Sequence, residues 1–142
     1  TLGGCGCVSV RMTGANDSVG ASVALRHAMA VFAVGDLERA LGFYVGGLGF
    51  EPVRRLESFA VVRCGGCRLG LSGPGDPRRR APGSGEVYIV CDDVDARHDA
   101  MTRAGATTDA GPTDQTYGLR DFTMRDPDGN VLTFGMRTDS AG

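Results

Sequence analysis

Apolar and polar positions along this chain switch repeatedly between two periods from Met29 onward. The run "MAVFAV" is a short apolar strand. Gly35-Asp36 then marks a helix start, and "LERALGFYVGGLGF" carries Leu37, Ala40, Leu41 and Tyr44 at helical spacing before glycines stop it. Next come "FEPVRRLE", "SFAVVR" and "CRLGLS", strand-like runs separated by turn signals, so the order is strand, helix, strand, strand, strand. After "GPGDPRRRAPGSG" the same order begins again with "EVYIVCDDVDARHDAMTRAGA". This stretch predicts a strand, an Asp at a helix start, and a helix with Val94, Arg97, His98, Met101 and Ala104 on neighbouring turns. Near the end, "DPDGNVLTFG" reads as a turn followed by a strand in which Leu132 and Phe134 face one way and Val131 and Thr133 the other.

The chain therefore repeats itself. Setting Asp36 against Asp93 pairs "FAVGDLERA" with "IVCDDVDAR", and setting Gly66 against Gly129 pairs "GCRLGL" with "GNVLTF". Two copies of a unit of roughly 55 residues indicate internal duplication. The predicted class is α+β, with one domain over residues 27–138: module one at 27–72, a linker at 73–85 and module two at 86–136. Residues 1–26, rich in Gly, Ser and Ala without sustained periodicity, read as a flexible extension outside the fold. In the linker, Arg78 to Arg80 read as a solvated run.

Composition narrows the chemistry. At 142 residues the chain fits one domain. With 15 basic against 17 acidic residues it has no excess positive charge to hold a phosphate backbone, so nucleic acid is excluded as the main partner. No apolar run approaches the ~20 residues of a membrane span. Every basic residue is Arg, which rules out lysine Schiff-base chemistry and a P-loop lysine. No G-x-S-x-G elbow appears, and His98, between Arg97 and Asp99, reads as part of a solvated helix face.

Five cysteines, an odd number without signal-peptide architecture, lead us to expect a reducing cytoplasm. Cys64 and Cys67 form a C-x-x-C and Cys5 with Cys7 a C-x-C, so a four-thiolate zinc site is conceivable. "RCGGCRL" reads first, however, as two strands joined by a Gly-Gly hairpin turn. Cys91, at the end of an apolar strand, reads as a small core residue.

The segments "FAVGDLERALGFYVGGLGFE", "VYIVCDDVDARHDAMTRAGA" and "YGLRDFTMRDPDGNVLTFG", in this order and spacing, resemble the vicinal oxygen chelate superfamily. That family covers glyoxalase I, extradiol dioxygenases, fosfomycin-resistance enzymes and bleomycin-resistance binding proteins. The resemblance runs over residues 29–136 and implies two βαβββ modules whose mixed sheets curl into an open cup. It also implies a test. Catalytic members hold a divalent metal with His, Gln or Glu from the first and last strands of each module. Here those positions fall on Met29, Gly70, Glu86 and Thr133, of which only Glu86 is an ordinary ligand.

The resemblance thus implies a member of the bleomycin-resistance-like branch that binds and sequesters a small organic molecule without metal or other cofactor, commonly as a homodimer. The expected ligand-binding residues are Met29, Val31, Glu86, Tyr88, Asp121, Thr123 and Thr133 in the cup, with Tyr117 and Arg120 at its rim. Asp121 projects into the cup if Phe122 and Met124 pack on the helix side; its other reading is a salt bridge to Arg120. With no Trp and nine aromatic residues in all, a ligand smaller or less planar than bleomycin is expected. The alternative is a metal-dependent lyase, isomerase or dioxygenase using an unusual set such as His27, Glu86 and Asp121, or Glu86 as a general base. A third reading is a scaffold whose cup is filled by its own core.

Overall fold

Among the described residues, both α-helices begin at an aspartate. The computed structural model describes residues 23–138. Within it, α1 (Leu37–Leu41) is capped by Asp36, whose side chain accepts from the Arg39 amide, and α2 (Val94–Arg103) by Asp93, which accepts from the Ala96 amide. α1 does not run on to Tyr44 as one regular helix. It widens into a π-helical turn over Gly42–Gly47, which carries the buried Tyr44.

The strands among the described residues are β1 (Met29–Ala33), β2 (Glu51–Arg55), β3 (Phe59–Cys64), β4 (Cys67–Ser72), β5 (Glu86–Val90), β6 (Thr113–Asp114), β7 (Leu119–Arg125) and β8 (Val131–Arg137). They form two four-stranded sheets, β1-β4-β3-β2 and β5-β8-β7-β6. In each sheet the first strand runs parallel to the last of its module and the other pairings are antiparallel. The βαβββ order is therefore present twice. Cys64 and Cys67 face one another across the Gly65-Gly66 turn, with Gly65 at φ 58°, a value that suits glycine in a two-residue hairpin. The hairpin reading holds; Cys5 and Cys7 lie outside the described residues.

Strand alternation decides what is buried. Phe32, Ala60, Val62, Leu69 and Leu71 from the first sheet join Phe122, Met124, Leu132 and Phe134 from the second in one core with Leu37, Tyr44, Val94 and Met101 from the helices. The opposite face of each sheet stays open. His98, expected on a solvated face, is half-buried instead: its ring lies edge-on to Phe122 at 5.0 Å. Arg97 reaches across the modules, its guanidinium 5.9 Å from the Phe134 ring centre and 3.5 Å from the Cys64 sulfur.

The DPDGN turn is more than a connection. Buried Asp126 accepts from the Tyr44 hydroxyl at 2.9 Å, the Asn130 amide and Asn130 Nδ2. Asn130 Nδ2 also donates to the Ala33 carbonyl, and Asn130 Oδ1 accepts from the Gly85 amide. Asp128 takes hydrogen bonds from the Gly35 amide and Arg39. One turn of module two thereby holds β1, α1 and the linker of module one. Gly83, at φ 85°, packs so closely on the Asp128 carbonyl that any side chain there would collide with it.

Candidate functional site

The open face of module one is an apolar floor. Met29 and Val31 point outward from β1 and remain 38% and 52% exposed, beside Phe59 and Val61 of β3. Gly70, between them on β4, is covered by Phe59, whose ring tip lies 2.6 Å from where a Cβ would stand. The linker passes beside this face. Met29, Val31, Ala33 and Phe59, together with Ser72, Asp76, Arg78, Arg80, Ser84 and Gly85, line a cavity of about 480 Å³.

Module two presents a polar network. Tyr88 of β5 lies across Gly135 of β8, where an added Cβ would collide with its hydroxyl. That hydroxyl donates to Asp121 Oδ2 at 2.9 Å, the Tyr117 hydroxyl donates to the same oxygen, and Gln115 Nε2 donates to Oδ1 at 2.9 Å. Below them Thr123 and Thr133 share a hydrogen bond of 2.9 Å. Burial alone would raise the Asp121 carboxyl, but the donors Tyr117, Tyr88 and Gln115 outweigh it and hold the group below its ordinary value. Burial, and then the bond to Asp121, raise the Tyr88 phenol; for exposed Tyr117 the hydrogen bond to Asp121 comes first. The site is set for one carboxylate and two neutral phenols.

The expected residues are thus divided between two faces. Tyr88, Tyr117, Asp121, Thr123 and Thr133 are brought together on module two, whereas Met29 and Val31 belong to the face of module one. Glu86 stands exposed at the start of β5, and His27 is exposed before β1. Arg120 departs from expectation. Facing the helix side with Phe122 and Met124, it pairs with Asp95 of α2 at 2.9 Å and Asp114 at 3.1 Å, so it neither rims the face nor neutralises Asp121. Gln115 was missed. It sits in an irregular loop, and only the β6–β7 register brings its side chain to Asp121.

A second, larger cleft of about 790 Å³ separates the edge strands β1 and β5. Met29 and Ala30 line it from one side, Val87 to Cys91 from the other, and Cys64, Cys67 and Arg97 complete its wall. Cys91 is accordingly half-buried at a cleft wall rather than sealed in the core.

Residues 24–134 match the family model described as Glyoxalase/Bleomycin resistance protein/Dioxygenase superfamily. The chain belongs to this superfamily. The bleomycin resistance protein of Geobacillus stearothermophilus is 27% identical, over 71% of this chain and 89% of the relative. A superfamily member from Sphaerobacter thermophilus matches in structure with a TM-score of 0.68 and 31% identity, over 82% of this chain and 99% of that one. The bleomycin-binding protein of Streptomyces verticillus, solved with copper(II)-bleomycin, gives 0.67 and 29%, over 79% and 96%.

Superfamily membership brings the metal positions back into view. At Met29, Gly70, Glu86 and Thr133 the donors are a thioether, no side chain, a carboxylate and a hydroxyl already bonded to Thr123, with the Phe59 ring over Gly70. This set does not fit a hard or borderline divalent ion. For the unusual set, Asp121 has both oxygens engaged by neutral donors, and no group of three His, Cys, Asp or Glu side chains gathers among the described residues. Nor does any helix among them have the length and apolarity to cross a membrane.

Proposed function

We propose that this chain binds and sequesters a small organic molecule without a metal, as a homodimer in the cytoplasm. The observation that carries the reading is the combination at the family's ligand positions: three of the four positions are unsuited to metal, while a cleft of about 790 Å³ between β1 and β5 and a cavity of about 480 Å³ on the face of module one stand beside them. These volumes lie in the range of roughly 300–1,000 Å³ used for small ligands. Relatives named for bleomycin resistance and bleomycin binding support the same class of function.

Aromatic placement favours a ligand less planar than bleomycin. Phe59, Tyr88 and Tyr117 stand on or beside the open faces, and Phe50 and Phe134, though largely buried, reach the wall of the larger cleft; no two of these five form a stacked pair. Dimerisation is supported by exposed apolar side chains outside the ligand floor, Val53 on the edge strand β2 and Val90 on β5. Glu86 as a general base is less well supported, because it is exposed and lacks the dry surroundings such a base needs.

The test is a thermal-shift screen of small organic molecules against chelator-treated protein. Hits whose affinity, measured by calorimetry, is unchanged in Glu86→Gln and by added divalent ions are expected. Turnover of a hit that disappears with Glu86→Gln would overturn the reading in favour of an enzyme.

A further inference from the structure

We infer that the ligand held on module one is an organic anion, its apolar body on Met29, Val31 and Phe59 and its acidic group between Arg78 and Arg80 of the linker. This rests on the small-molecule reading above and gives it a ligand class.

Arg78 and Arg80 of the linker are exposed, yet they stand at the edge of a cavity. Arg79 donates to the Val34 carbonyl at 3.0 Å, which ties the linker to the end of β1, and Arg78 and Arg80 on either side of it line the 480 Å³ cavity. Neither guanidinium has an ion pair among the described residues, although Arg39, Arg55, Arg63, Arg120 and Arg125 all do. One acid lines the same cavity, Asp76. Its oxygens already accept from the Ser72 hydroxyl at 2.6 Å and the Arg78 amide at 3.1 Å, and these contacts, with a smaller contribution from the nearby Arg78 charge, hold its carboxyl below the ordinary range. Asp76 therefore acts as a brace for the linker and leaves two guanidiniums against one carboxylate. Arg54 and Arg68, paired in register with Val61 and Met29, share this face and likewise have no ion pair among the described residues.

The chemistry that fits has two parts. A guanidinium offers a planar fork of donors to a carboxylate, sulfonate or phosphonate. A floor of a thioether, an isopropyl group and a phenyl ring receives an apolar body. Module two, with its Asp121 carboxylate and exposed Glu86, offers no such match to an anion.

The test uses the full chain and two fluorescent probes of similar size, anionic anilinonaphthalene sulfonate and neutral N-phenylnaphthylamine. The inference expects the anionic probe to bind more tightly in low salt, to lose about tenfold in affinity in Arg78→Gln/Arg80→Gln, and to be excluded by Val31→Glu. The neutral probe should respond to the floor change alone. Because both arginines are exposed and unpaired, the double variant should melt as the parent does.

Equal binding of both probes, indifferent to the arginines, would overturn the anion and leave the small-molecule reading standing. Uptake of neither probe would overturn both. If the double variant instead shifts the monomer–dimer balance in size-exclusion chromatography with probe affinity unchanged, the arginines face a second copy and the inference fails.

Discussion

The two modules are copies of one plan with opposite open faces. Met29 and Val31 on β1 stand where Glu86 and Tyr88 stand on β5, and Phe59 on β3 stands where Asp121 stands on β7. Each sheet keeps one glycine beneath an aromatic ring. In module one the ring comes from β3, Phe59 over Gly70; in module two it comes from β5, Tyr88 over Gly135. Duplication preserved the backbone and the core while the open faces diverged into an apolar floor beside arginines and a network around one carboxylate. The lesson is that the helix-side residues carry the fold, and the other face of the same strands was free to change chemistry.

The largest effect should come from breaking the joint between the copies. Asn130→Ala removes hydrogen bonds to Ala33, Gly85 and Asp126 in a fully buried site, and about 3 kcal/mol of stability should be lost in urea unfolding, at roughly 1 kcal/mol per bond. A smaller loss follows from dismantling one face. Asp121→Ala strips the shared acceptor from Tyr88, Tyr117 and Gln115 and should cost about 2 kcal/mol by the same measurement, while anion uptake on module one stays as it was. Gly135→Ala pushes the Tyr88 hydroxyl off Asp121 and should cost about 1 kcal/mol, with the raised Tyr88 phenol returning toward its ordinary value in ultraviolet titration.

The smallest effect is that of pH, and its sign differs for the two kinds of group. The Asp121 carboxyl is lowered in the folded state, so its contribution is present above the ordinary carboxylate value of about 4 and is lost as pH falls through the folded value. The Tyr88 and Tyr117 phenols are raised, so theirs is present below about pH 10 and is lost as pH rises through the folded values. Melting curves should therefore sag at both ends, and Asp121→Ala should flatten both.

Much of this fold was legible in the residues. Asp36 and Asp93 announced both helices because capping is a local act, and the Gly-Gly hairpin was legible for the same reason. Asp121 could be aimed into the open face once Phe122 and Met124 were put on the helix side, since alternation along a strand is strict. The same rule, carried one residue further, would have turned Arg120 away. Its pairing partner Asp95 lies on a helix 25 positions earlier in the chain, out of reach of any local pattern. The DPDGN turn gave no sign of its second role, for Asn130 and Asp126 meet Ala33 and Tyr44 only across the module boundary. Arg78 and Arg80 are exposed as a solvated run should be, but nothing local says that the Pro- and Gly-rich linker carries them to the edge of a cavity.

The central claim is the proposal that this chain binds a small organic molecule without a metal. Its most direct test is native mass spectrometry of the purified chain after incubation with nickel, manganese, iron and zinc and removal of the excess. The account predicts substoichiometric metal throughout, with anilinonaphthalene sulfonate still taken up. About one tightly held ion per chain, lost in Glu86→Gln, would contradict it.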